Sequence, residues 1–320
     1  MTISPLASIQ GVVASSIKPN SGVVQSRYWR VRVRENQSLG STPATSADHV
    51  QFRSTSGGVN LATDPLKGLA DSVFSGSYIE DYAFNGIGSG FWVSQNTSYG
   101  THWIGYDFTT PVSITEIVWS KRPDSFGQLE APIFGVVERS DDGSNWVYDW
   151  SFFTPANWGA GAETRTFQKS TSSGKRAWRI RPTALQGSVY PFSTAEVEFR
   201  ATAGGPDKAT GGIPISSAQN NSYPKERAFD GITNVSSNFF LSTDKVPSGQ
   251  PWIGYLFPDV EEIVQVYYQV RGDGFGANEA VIAGVLESTN DYVTWTIEWS
   301  FSTPATWVNN STEFRIFTKP

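Results

Sequence analysis

The sequence predicts an all-β protein built as two tandem β-sandwiches of jelly-roll type, and three observations carry that expectation. The chain repeats itself once at long range, its apolar residues alternate with period two, and its polar residues are those of turns. Of 320 residues, 38% are hydrophobic, 14% aromatic and only 17% charged. Ser, Thr, Asn and Gly fill the remaining polar positions, which suits sheets and tight turns better than helices.

The repeat is read directly. AFNGI at 83–87 returns as AFDGI at 228–232, and WIGYDF at 103–108 as WIGYLF at 252–257. GVVERSDDGSNW (135–146) returns as GVLESTNDYVTW (284–295), and RYWRVRV (27–33) as RAWRIRP (176–182). NWVYDWSFFTPANW (145–158) and TWTIEWSFSTPATW (294–307) are identical at eight of fourteen positions. Most pairs are offset by 149 residues, and the AF(N/D)GI pair by 145. That leaves a leader of 22 residues, one unit from about Val23 to Thr171 and another from about Ser172 to Pro320. A period this long is a domain duplication, not a solenoid.

Strand character follows within each unit. YWRVRVR sets Trp29, Val31 and Val33 on one face and Arg30, Arg32 and Arg34 on the other. EEIVQVYYQV (261–270) alternates cleanly, and WVYDWSFF and WTIEWSFS are aromatic and β-branched. SDDGSN and STNDYV supply turns. A helical turn is expected only near Ser222–Phe229. Trp103, Trp146, Trp150, Trp252, Trp295 and Trp299 recur within strand pattern and are expected in the core.

Composition excludes several functions. There is no cysteine, so disulfides, thiolate metal sites and cysteine catalysis are out. The net charge of -6 offers no basic stripe for a phosphate backbone, so no nucleic-acid partner is expected. No apolar run approaches the ~20 residues of a membrane helix. The leader lacks the charged start and unbroken apolar run of a signal peptide. With two histidines, His49 and His102, and no phosphate loop, no catalytic constellation emerges and no enzyme is expected.

AFDGI, the Trp92-Val93-Ser94 segment, WIGYDF, SDDGSNW, AWRIRP (177–182) and AEVEF (195–199) follow one another in an order that resembles the discoidin, or coagulation-factor type C, domain of the galactose-binding-like sandwiches. The resemblance places the Arg-Ile strand late in the domain. It therefore implies a first domain over 55–201 and a second over 202–320 that lacks its closing strands. RYWRVRV and DHVQFRS, in residues 23–54, are then expected to complete the second sandwich, from the same chain or from a neighbouring one.

The resemblance also implies sites. A structural Ca²⁺ would use Asn85 with Glu196 in the first domain, and Asp230 with Asp48 in the second. Glycan binding would use loops at one end of the sandwich. There KRPDSFGQLE (121–130) offers Arg122, Asp124 and Phe126, and RGDGFGANEA (271–280) offers Arg271, Asp273 and Phe275. A Phe-Gly turn packing its own loop explains that pattern equally well. The function expected is a non-enzymatic structural or binding protein of a virus particle. A bacteriophage tail fibre, adhesin or capsid-decoration component fits, docked on other virion proteins by the leader (1–22), binding host-surface glycan and assembled as a homo-oligomer. The alternative is an extracellular or cell-surface bacterial carbohydrate-binding protein.

Overall fold

The alternation in YWRVRVR becomes a strand, β1 (Ser26–Asn36), and its repeat in RAWRIRP becomes β11 (Lys175–Leu185). The duplication holds throughout, so that each first-half strand has a counterpart ten numbers on. The pairs are β2 (Ser46–Ala47) and β12 (Pro191–Thr194), β3 (His49–Arg53) and β13 (Glu196–Arg200), and β4 (Gly68–Ala70) and β14 (Ile213–Ser216). Next come β5 (Trp92–Val93) and β15 (Phe240–Lys245), β6 (Trp103–Val112) and β16 (Ile253–Glu261), and β7 (Glu116–Lys121) and β17 (Gln265–Gln269). Last are β8 (Pro132–Ser140) and β18 (Val281–Thr289), β9 (Val147–Phe153) and β19 (Thr296–Ser302), and β10 (Glu163–Gln168) and β20 (Phe314–Thr318). The only α-helices among the described residues are one turn long, α1 (Gly127–Glu130) and α2 (Gly276–Glu279). The helical turn expected near Ser222 is a 3₁₀ turn, Lys225–Ala228. This computed structural model describes residues 24–38, 41–88, 90–155, 157–187, 189–233, 236–246 and 250–320. The leader and its docking role lie outside them. No helix among the described residues is long and apolar enough to cross a membrane.

All pairings between these strands are antiparallel, and the fold is all-β. Each half has a five-stranded sheet, β4-β6-β1-β8-β9 or β14-β16-β11-β18-β19. Each also has a three-stranded sheet, β10-β7-β3 or β13-β17-β20. Trp29 and Val31 of β1 join Val50 and Phe52 of β3 and Ile117 and Trp119 of β7 in one buried cluster. Trp178, Ile180, Val197, Phe199, Val266 and Tyr268 do the same in the second half.

The closing strands are not where the resemblance puts them. β1 pairs with β6 and β8, and β3 with β7, all in the first half. β11 and β13 hold the matching places in the second half, against β16, β18 and β17. Residues 23–54 therefore do not complete the second sandwich, and the boundaries at 55, 201 and 202 cut through both sheets. The reason is chain connectivity, since β1 closes a much shorter loop by pairing with β6 than it would with β16. Arg-Ile strands β1 and β11 open their units, and each finds the Gly105 or Gly254 strand of its own repeat. A Cβ at Gly105 would sit 2.6 Å from Trp29 O, and one at Gly254 2.3 Å from Trp178 O, so only glycine lets these strands approach.

The halves meet head to tail. The first half presents Phe134 and Val136 of β8, with Tyr148 and Phe153 of β9. The second answers with Ala177, Ile213, Ile215 and Leu256, from β11, β14 and β16. Tyr292 meets Phe134 edge-on at 5.9 Å. Buried Arg176 ties the seam, donating to Ser151 O at 2.9 Å and Pro258 O at 2.7 Å. The same surfaces recur at the far ends of the pair but with other residues. Ala283 and Ser302 replace Phe134 and Phe153, and Asp107 replaces Leu256. The apolar contact is thus made once.

Candidate functional site

The loop after β7 is built by its own charges. Asp124 Oδ1 accepts the N–H groups of Phe126 and Gly127, each at 3.2 Å, which turns the chain into α1. Arg122 clamps the turn through Nε to Asp124 Oδ1 at 2.7 Å, through Nη2 to Asp124 Oδ2, and through Nη1 to Glu130 Oε2 at 3.1 Å. Its guanidinium also lies 4.4 Å from the Phe91 ring. A Cβ at Gly127 would fall 2.0 Å from Arg122 O. The second half repeats the device. Arg271 bonds Asp273 and, at 2.7 Å, Glu279, and lies 3.8 Å over Phe239. Arg122 and Arg271 are 8% and 6% exposed. Arg122 with Asp124, and Arg271 with Asp273, thus commit their charges to holding their own loops.

Phe126 and Phe275 behave otherwise. They remain 58% and 56% exposed at the loop tips. Phe126 walls a cleft of about 330 Å³ with Phe74, Tyr78 and Val93, edged by Thr42 and Asn96 and floored by Arg122 and Glu130. Tyr78 is held by stacking on Phe91 at 5.2 Å. Tyr223 on Phe239, at 4.3 Å, repeats that pair. Phe74, whose N–H reaches Val93 O at 2.8 Å, is replaced in the second half by Asn220, whose N–H reaches Leu241 O at 2.8 Å. The second loop tip therefore lacks one aromatic wall. The sequence reading missed Phe74, Tyr78, Glu130 and Glu279. Glu130 and Glu279 carried a signal, since they recur at the 149-residue offset.

Four of the recurrent tryptophans are half-buried on the opposite face of their five-stranded sheets, and of these Trp252 and Trp295 pack against the cluster between the halves. Arg30 lies between Trp103 and Trp146, 4.8 and 4.0 Å from their rings, and bonds Glu138 at 2.5 Å. Arg179 repeats this with Trp252, Trp295 and Glu287, at 4.8, 4.0 and 2.6 Å. The first clamp covers the face of its sheet away from the core, and the second lies beside the seam between the halves. Trp150 and Trp299 are buried in the cores, as expected.

The metal candidates regroup by half. Asp48 accepts Gly88 N–H at 3.2 Å, beside the Asn85 turn. Glu196 accepts Gly231 N–H at 3.0 Å, beside Asp230. The pairs are therefore Asn85 with Asp48 and Asp230 with Glu196, the reverse of the expected assignment, because β3 and β13 each stay in their own half. Both Asp230 oxygens already accept the Asn238 amide, at 3.1 and 3.0 Å. Among the described residues, no three His, Cys, Asp or Glu are placed to share an ion. Two carboxylates, one already engaged, fall short of the six to eight oxygens of a calcium shell, and no chemistry is routed through a metal here.

Burial, then the charge of Asp230, pushes the Glu196 carboxyl up to about 8 from 4.5. The folded chain keeps this proton over a range in which the unfolded chain releases it. Stability is therefore expected to fall as pH rises from about 4.5 to about 8, by at most about 1.4 kcal/mol per pH unit, and to level off above. Urea unfolding at stepped pH checks this, and Glu196→Gln should flatten the slope.

His102 is 2% exposed. Its Nδ1 meets Asp71 Oδ2 at 2.7 Å and Ser72 Oγ at 3.4 Å, while Nε2 is buried without a partner. A relay needs serine and aspartate on opposite ring nitrogens. Here both share one, so the cluster is not arranged as a triad. No family model matches the chain, nor does any curated protein or solved structure.

Proposed function

We propose that the chain is a non-catalytic binding protein made of two tandem discoidin-like jelly-roll sandwiches, which takes a neutral glycan in the cleft of its first half. The cleft itself carries the reading. Exposed Phe126 and Phe74 offer flat apolar faces that suit the C–H faces of a sugar ring, and Thr42 and Asn96 offer neutral polar groups at the rim. Arg122 favours a neutral ligand over an anionic one, since Asp124 and Glu130 already compensate its charge. The second-half tip, with Asn220 in place of Phe74, is the weaker site.

Binding to a panel of neutral and acidic glycans tests this. Phe126→Ala and Phe74→Ala are each expected to weaken neutral-glycan binding at least about tenfold. Both side chains are largely exposed, so the melting temperature should barely move. Unchanged affinity in both variants would sink the reading. On location, we retain the virus particle, as a phage tail-fibre, adhesin or capsid-decoration component, because tandem binding units suit an adhesive surface. Mass spectrometry of purified particles decides between that and a bacterial surface protein.

A further inference from the structure

β20 is the outer strand of its sheet. Lys319 N–H reaches Val264 O at 2.8 Å and Val270 N–H reaches Glu313 O at 3.0 Å, so odd-numbered residues turn their backbone groups toward β17. Backbone groups alternate along a strand. Those of Phe314, Ile316 and Thr318 therefore face outward, and among the described residues they have no backbone partner. Two of the three side chains on that face are apolar, with Thr318 the third. Phe314 is 52% and Ile316 45% exposed, and the Tyr267 ring stacks on Phe314 at 4.8 Å. The first-half edge, β10, carries Thr164 and Thr166 at these places. Proteins blunt open edges with polar residues unless something pairs with them. The first half follows that rule and the second departs from it.

We infer that β20 is the seam of a homodimer, pairing antiparallel with β20 of a second copy about a two-fold axis through Ile316. This joins two three-stranded sheets into one of six strands. The outward backbone groups fix the register. Ile316 faces its own copy, and Phe314 faces Thr318, each as a hydrogen-bonded pair, giving about six backbone hydrogen bonds in all. Charge then selects the partner. The same register sets Glu313 of one copy, held in its own chain by Arg315 at 3.1 Å, opposite Lys319 of the other, which meets exposed Glu262 at 3.3 Å, at both ends of the seam, and a parallel pairing does not do this. The contact is self-complementary and closes at two subunits. It is also small, so a Kd of about 1–100 µM is expected.

Sedimentation of the full chain across that range should show a monomer–dimer equilibrium. Ile316→Pro removes an outward N–H that the fold itself does not use, a position where edge strands accept proline. It should raise the Kd at least about tenfold. Because the chain has no cysteine, Ile316→Cys places a single thiol on the axis. Facing Cα atoms about 5.5 Å apart fall within disulfide reach, so mild oxidation should link two chains. Thr318→Cys, about 14 Å from its own copy, should stay unlinked. A chain that remains monomeric at about 100 µM overturns the inference. So does a dimer in which Thr318→Cys links as readily as Ile316→Cys.

Discussion

Deleting residues 1–54 is expected to unfold the first half and leave the second folded. The deletion removes β1, the middle strand of β4-β6-β1-β8-β9, and β3, the edge strand beside β7. With them go Trp29, Val31, Val33, Val50 and Phe52, all 2% exposed or less. Strands β6 and β8 then lose the strand that joins them, and no neighbouring strand replaces it. The second half keeps β11 and β13, its own copies of both. It loses the cover that Phe134, Val136, Tyr148 and Phe153 give to Leu256 and Ile215, and the bond from Arg176 to Ser151 O. Hydrogen exchange should show residues 55–168 unprotected and residues 175–318 protected, with a lowered melting temperature. Loss of protection in the second half with the first intact would restore the completing role of the N-terminal strands.

Arg122→Leu should destabilise the first half by about 3–5 kcal/mol, the usual cost of leaving a buried charge without its partner. Glu130, 5% exposed, would then face Asp124 with no cation between them. Leucine keeps much of the packing against Phe91, so the lost charge carries the effect. Burial already pushes the Glu130 carboxyl above its ordinary range. Without Arg122 it rises further, and the folded variant holds a proton that its unfolded chain releases. The deficit should therefore be smallest at low pH and grow as pH rises past the carboxylate range. Urea unfolding of the variant at acid and neutral pH measures both. This contrasts with Phe126→Ala, three positions from Glu130's helical neighbour Leu129, which should leave stability nearly untouched and act on binding.

The loop illustrates what local sequence could and could not say. Arg122, Asp124 and Phe126 recur as Arg271, Asp273 and Phe275, so their common importance was legible. Their division of labour was not. An arginine that reaches a ligand and one that clamps its own turn look alike until Glu130 and Phe91 are seen around it. Phe74 lies too far along the chain to be tied to Phe126 by any spacing rule, and they meet only because the loops of one sheet end converge. The tryptophans make the same point. Trp150 and Trp103 both sit in alternating strand pattern, yet one faces the core and the other clamps Arg30 on the opposite face, because a period of two marks two faces without naming them.

The sequence by itself determined the duplication, the all-β class, the strands and the turn residues, because these depend on short-range periodicity and on identities between the two copies. Tertiary structure alone decided which strands close which half, which carboxylates meet, and which face of each half is covered. Those outcomes depend on pairing between distant strands, where the close approaches of Trp29 to Gly105 and Trp178 to Gly254 are open to either copy and the shorter chain between partners of one repeat favours the pairing seen. A repeated sequence offers two equally good partners for each strand. The chain resolves the choice by folding each unit around its own first strand.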